Sequence, residues 1–164
     1  MVSMAGVCLP LSEAEPLVDP FRREHDWTYE AGLSAHVTVR MPFPSEFLLE
    51  PQTVSSVIDE FLPMEVVLAR LEDREGGLVV LVEPDAQLRR LTNAIGEACT
   101  GLPPHREGQR FAYHVTVVRT GDPEIRNDAA KAIETRLPLV AVGRELWRFD
   151  WEERDLGVTW KATA

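Results

Sequence analysis

The string His-Val-Thr-Val occurs twice in this chain, at residues 36–39 and again 78 residues further on at 114–117. In an extended strand successive side chains point to opposite faces. Each string therefore sets its two valines on one face and its imidazole and hydroxyl on the other. Such a strand needs a core on one side and a polar surface on the other, and the fold must provide that twice. The segments leading in repeat as well. An apolar strand over 6–11 and a helix over 13–25 precede the first string. A strand over 77–83 and a helical stripe at Leu88, Leu91, Ile95 and Ala98 precede the second. Ser12 and Glu15 have the spacing of a capping box for the first of these helices.

Between the two units, Val54, Val57, Ile58 and Phe61 predict a helix after Pro51, and residues 65–72 predict a strand turning into 77–83. A Pro- and Gly-rich loop is expected over 101–109, then a strand over 111–118 and a helix over 127–137. Two strands, 139–151 and 156–162, close the chain. The order reads β-α-β-α-β, then β-α-β-α-β-β. The expected fold is α+β, a single bilobal domain over 1–164 with pseudo-symmetric halves at about 5–75 and 76–164 and a cleft between them.

If the halves meet about a pseudo-two-fold axis, the polar faces of both strings share that cleft. His36 and His114 then form an acid–base pair. One neutral imidazole takes a proton from water while the other, as imidazolium, protonates a departing oxygen. Thr38 and Thr116 stand ready to donate hydrogen bonds to phosphate oxygens. No carboxylate lies at a spacing from these histidines that completes a metal site, so neither metal nor cofactor is expected. Three further residues are candidates for holding substrate: Arg119, just beyond the second string; Arg40, in register with His36 and Thr38; and Phe43, in the loop after the first string, where a base could stack. Core packing is the competing expectation for Phe43. Tyr113 and Phe111 should face away from His114, and Trp147, Trp151 and Trp160 should pack the last hairpin. Arg22, Arg23, Arg89 and Arg90 read as solvated helix faces, and His25 and His105 as structural.

Acidic residues outnumber basic ones 27 to 17, for a formal net charge of −10. A protein that coats long nucleic acid neutralises many phosphates at once, so this balance argues against that role. It leaves room for a small phosphorylated ligand or an RNA terminus in a local pocket. Cys8 and Cys99 sit in apolar surroundings outside any C-x-x-C pair and are expected to be buried free thiols in a reducing compartment. No apolar run approaches the roughly 18 residues of a membrane span. The first ten residues lack the basic flank of a signal peptide, so a cytoplasmic protein is the expectation, and the small, self-contained duplicated architecture favours a monomer.

On these residues the chain resembles the 2H phosphoesterase superfamily, close to the bacterial proteins called 2′-5′ RNA ligase-like or RNA 2′,3′-cyclic phosphodiesterases. That family carries two H-x-(T/S)-x motifs roughly eighty residues apart in a duplicated, bilobal fold of antiparallel sheets flanked by helices. Pro-Phe-Pro at 42–44 and Arg119 are similar to the family too, whereas Ala35 and Tyr113 stand where relatives commonly have proline. The resemblance implies metal-independent hydrolysis of 2′,3′-cyclic phosphates on nucleotides or RNA ends. Some members act on ADP-ribose cyclic phosphate and some join RNA ends weakly through a 2′-5′ linkage. The alternatives are a non-catalytic protein of the same fold that holds a nucleotide or RNA end, and a structural module.

Overall fold

The computed structural model describes residues 2–106 and 111–163, so part of the loop expected over 101–109 lies outside the described residues. The opening apolar run forms β1 (Met4–Pro10), in which Ala5, Val7, Cys8 and Leu9 have no exposed surface. A single turn leads into α1 (Glu15–His25), where Pro16 occupies the first turn and its missing N–H deprives the helix of nothing. The capping box expected of Ser12 and Glu15 does not form; the Ser12 hydroxyl donates to Glu13 instead, at 3.4 Å. A short α2 (Trp27–Glu30), not foreseen from the sequence, follows, with the Asp26 carboxylate accepting from the Thr28 backbone N–H. β2 (His36–Pro44), α3 (Ser55–Phe61), β3 (Met64–Arg74), β4 (Gly77–Val82), α4 (Ala86–Ala98), β5 (His114–Val118) and α5 (Pro123–Glu134) then follow in the predicted order, although β2 runs through 42–44, where a loop was expected, and α5 starts four residues early.

The C-terminal segment departs from expectation. The strand foreseen over 139–151 breaks into β6 (Leu139–Gly143) and β7 (Glu145–Glu152), followed by β8 (Asp155–Thr163). The two pieces belong to different sheets: β6 pairs with β3, while β7 pairs with β1 and β8. At the break, Gly143 packs against the Leu9 side chain, which occupies the space a Cβ would take.

The strands form two antiparallel four-stranded sheets, ordered β2-β1-β7-β8 and β5-β4-β3-β6, so the fold is the expected bilobal α+β arrangement. Each sheet draws strands from both sequence halves. β3, from 5–75, lies in the second sheet, and β7 and β8, from 76–164, return to the first. β2 and β5, which carry the two repeated strings, are both edge strands. The apolar faces of the strings behave alike: Val37, Val39, Val115 and Val117 are wholly buried in one core with Leu17, Leu91 and Ile95. Burying side chains of this size stabilises by roughly 1.5–3 kcal/mol each, which fixes the register and hence the direction of the opposite face. Cys8 and Cys99 are buried free thiols. Among the described residues no helix is long and apolar enough to cross a membrane.

Candidate functional site

His36 and His114 are each the first residue of an edge strand, opposite Pro10 of β1 and Leu81 of β4 respectively. With their valine neighbours in the core, both imidazoles and both threonines line one cleft of about 230 Å³ between the sheets. The two rings are anchored by the same local device. His36 Nδ1 lies 2.6 Å from the Ser34 carbonyl and His114 Nδ1 lies 2.8 Å from the Ala112 carbonyl, in each case two residues back. A carbonyl accepts only, so Nδ1 carries the proton in the neutral ring and Nε2 is left with its lone pair for chemistry. Burial pushes the His36 pKa down to about 4 against the opposing Ser34 bond, with Arg22 and Arg119 adding to the depression and Asp26 working against it. Burial likewise pushes His114 down to about 4, opposed by the Ala112 bond and reinforced by Arg74, Arg106 and Arg119. Both rings are therefore neutral at pH 7 in the free protein, and both would gain proton affinity from an incoming anion.

Arg119 reaches the cleft as expected, and its position is fixed twice. Its backbone N–H donates to the His25 carbonyl at 2.7 Å and its Nε donates to Asp26 Oδ1 at 2.8 Å. Asp26 in turn accepts from Arg22 Nε at 3.0 Å, from the Thr28 hydroxyl at 2.8 Å and from the Thr28 backbone at 3.1 Å. Burial alone would raise the Asp26 pKa, but Arg119, Thr28 and Arg22 outweigh it and hold the carboxyl below its usual range. Arg22 is consequently buried, not solvated as its place on an arginine pair implies. Its Nη2 donates to the Leu33 carbonyl at 2.6 Å and its Nη1 to Asp19 at 3.1 Å.

Arg40 and Phe43 do not reach the cleft. Cys8 pairs with Thr38 but Val7 pairs with Arg40, so β2 carries one extra residue and the alternation breaks between Thr38 and Arg40. The guanidinium turns towards α4 and the segment after it, where Nη1 lies 3.2 Å from the Thr92 carbonyl and Nη2 3.3 Å from the Leu102 carbonyl. Gly96 makes room for it; a Cβ there would stand 2.6 Å from Nη1. Phe43 has no exposed surface and packs edge-on to Phe47 at 6.4 Å, beneath the Arg148 guanidinium. Tyr113 is buried and bonded to Thr92, as its register implies. His105 is structural, its Nδ1 accepting from the Met41 N–H at 2.9 Å.

Sequence reasoning passed over Arg106, Trp27 and Phe149, and assigned Trp151 to hairpin packing. All four line the cleft. Phe149 lies 6.2 Å from the His36 ring and stacks on Trp151 at 5.6 Å, making an aromatic wall beside the imidazole. Gly6, opposite Phe149 on β1, admits that ring, since a Cβ would come within 2.7 Å of it. The signal was legible in part: Trp147, Phe149 and Trp151 alternate on β7 and so share a face. Arg106 carried none, because its position comes from a non-local bond of its N–H to the Met41 carbonyl, 2.8 Å long.

Solved structures share this architecture at low identity. E. coli LigT complexed with NADP+ aligns over 100% of both chains at 15% identity with a TM-score of 0.57, and E. coli LigT complexed with ATP does so at 15% identity and 0.55. A protein described as a phosphoesterase aligns over 99% of both chains at 16% identity and 0.51. No curated protein sequence matches the chain. The family model of the 2′-5′ RNA ligase superfamily matches residues 10–155, which takes in both strings and the whole of the second sheet, and the chain belongs to that superfamily.

Proposed function

We propose that this protein is a cyclic phosphodiesterase, hydrolysing 2′,3′-cyclic phosphates of nucleotides or RNA ends with His36 and His114 as its acid–base pair. One observation carries the reading. Two imidazoles with matched Nδ1 anchors turn their Nε2 atoms to a single cleft that also holds two threonine hydroxyls and two arginines. In a chain with a formal charge of −10, so basic a pocket is suited to an anion.

The step runs as follows. One neutral histidine accepts a proton from water at Nε2 as the water oxygen bonds to phosphorus. The bond from phosphorus to one ribose oxygen breaks, and that oxygen takes the Nε2 proton of the other histidine, present as imidazolium. The product is a phosphomonoester, and the two rings have exchanged protonation states. Thr38, Thr116 and Arg119 stabilise the charge that builds on the non-bridging oxygens, and each proton transfer contributes roughly 10²–10⁴-fold. The wall of Phe149 and Trp151 offers a flat apolar surface to a base. The complexes of LigT with ATP and NADP+ support a nucleotide as a ligand of this fold.

The test is phosphomonoester formation from 2′,3′-cyclic nucleotides, and from a short RNA ending in a cyclic phosphate, with EDTA present. Turnover that persists with chelator and collapses in His36→Ala and His114→Ala supports the reading. Folded, ligand-binding protein without turnover points to a binding role. The pH profile is a second check. With both free-state pKa values at about 4, the singly protonated pair thins out as pH rises. Hence kcat/KM, which reports the free enzyme, should fall through the neutral range while kcat, which reports the complex, holds to higher pH.

A further inference from the structure

Arg106 and Arg119 both line the cleft, and among the described residues no carboxylate lines it with them. The two cations are unequally engaged. Arg119 has its Nε committed to Asp26 at 2.8 Å. Arg106 makes no ion pair among the described residues, and its buried Nε finds no hydrogen-bond partner there. Its guanidinium lies over the Phe111 ring, 5.4 Å from the centroid, and that ring is 6.1 Å from the His114 imidazole. A stacked guanidinium uses its flat face, which leaves its in-plane N–H groups for an anion. Burial, Arg74 and Arg119 all disfavour the charge on Arg106, and among the described residues no carboxylate offsets them. An anion in the cleft therefore relieves a cost already present.

The backbone at Arg106 suits glycine better than arginine. Its φ is +50°, in the left-handed region that a Cβ disfavours and glycine adopts freely. Two bonds around one residue of β2 tie this segment down. The Met41 N–H donates to His105 Nδ1 at 2.9 Å, and the Arg106 N–H donates to the Met41 carbonyl at 2.8 Å. A charged side chain held on a strained backbone, with no partner among the described residues, points to a role in the cleft and not in the fold. We propose that Arg106 is a catalytic phosphate-binding residue: its free guanidinium edge grips a non-bridging oxygen of the cyclic phosphate and offsets the negative charge that builds there. Arg119, already sharing its charge with Asp26, is the weaker companion. The inference rests on the two-histidine reading of the cleft.

Three variants test it: Arg106→Gln, which removes the charge; Arg106→Gly, which also releases the strained φ; and Arg106→Lys, which keeps a charge without the planar fork. Each is compared with the unaltered protein for affinity for inorganic phosphate, kcat/KM on cytidine 2′,3′-cyclic phosphate, and the urea midpoint. The Gln and Gly variants should bind phosphate about tenfold more weakly and lose about 10²–10³-fold in kcat/KM. Their urea midpoints should stay level or rise, because an unpaired cation is gone and, in the Gly variant, the backbone strain with it. The Lys variant should recover part of both losses. Phosphate affinity and kcat/KM within about twofold of the unaltered protein would overturn the assignment and leave the two-histidine reading standing. Losses that come with lowered urea midpoints in both the Gln and Gly variants would make Arg106 a structural residue and overturn it too. Absence of turnover by the unaltered protein, with phosphate binding still weakened in the variants, would overturn the two-histidine reading while upholding the contact between Arg106 and phosphate.

Discussion

The two His-Val-Thr-Val strands follow one local rule in two different surroundings. Both begin on the histidine, both lie at a sheet edge, and both hold Nδ1 on the carbonyl two residues back. Around His36, however, the charges are mixed. Arg22 and Arg119 disfavour its protonation while the buried Asp26 favours it. Around His114 the charges bearing on the ring are all arginines, Arg74, Arg106 and Arg119. Thr38 is nearly buried whereas Thr116 is half-buried. A duplicated motif thus fixes where the reactive atoms sit, and non-duplicated neighbours decide how each one titrates. Arg119 is the exception, since it acts on both rings from a position set by α1 and Asp26.

The largest expected effect probes what the strands have in common. His36→Ala and His114→Ala should each lower kcat by roughly 10²–10⁴-fold, with the double variant little worse than either single one, because the rings work as a pair. Losses that multiply in the double variant would show two independent contributions and break the equivalence. Next in size is Asp26→Asn, which removes the one carboxylate from the mixed side. It leaves the buried Arg22 cation with Asp19 as its one remaining counter-charge among the described residues, and losing a partner of a buried pair costs up to about 3–5 kcal/mol, readable by urea denaturation. The same variant should shift the His36 titration further down in an NMR experiment and leave His114 in place, since Asp26 bears on the first ring alone. Equal movement of both rings would mean that Asp26 acts through Arg119 and not directly. Smaller again are Thr38→Val and Thr116→Val, near-isosteric changes that each delete one hydroxyl. Each should cost about 10–100-fold in kcat with little change in KM, if the hydroxyls act on the transition state.

The shared part of this comparison was legible in the sequence, and the differences were not. Period-two alternation places Val37, Val39, Val115 and Val117 in a core and their neighbours in a cleft, with no need to know which strand pairs with which. Arg40 obeys the same arithmetic on paper. Its side chain points elsewhere because Val7, from a strand about thirty residues earlier, pairs one step out of register. Arg22 looked solvated beside Arg23 because the Leu33 carbonyl that buries it lies eleven residues ahead. The run over 139–151 kept one apolar rhythm while its halves joined different sheets, since a strand pattern records a face and not a partner. Local periodicity was enough for the histidines and threonines. The arginines needed the tertiary contacts.

The smallest effect is on stability against pH, and its sign follows from the same burial. His36 and His114 are held at about 4, and His105, half-buried and facing Arg106, Arg40 and His114, at about 3. In the unfolded chain each returns to about 6.5. Between those limits the unfolded state binds more protons than the folded one, so stability rises with pH from about 4 to about 6.5 and levels off above. Urea midpoints should therefore fall steadily as pH drops from 7 towards 4.5. Inorganic phosphate separates the contributions. An anion in the cleft raises the proton affinity of His36 and His114 and should recover part of the loss. His105, which does not line the cleft and has Nδ1 committed to the Met41 N–H, gains less from it. If phosphate restored the whole of the acid loss, His105 would have no share in it; if it restored none, the cleft histidines would not be the groups that titrate.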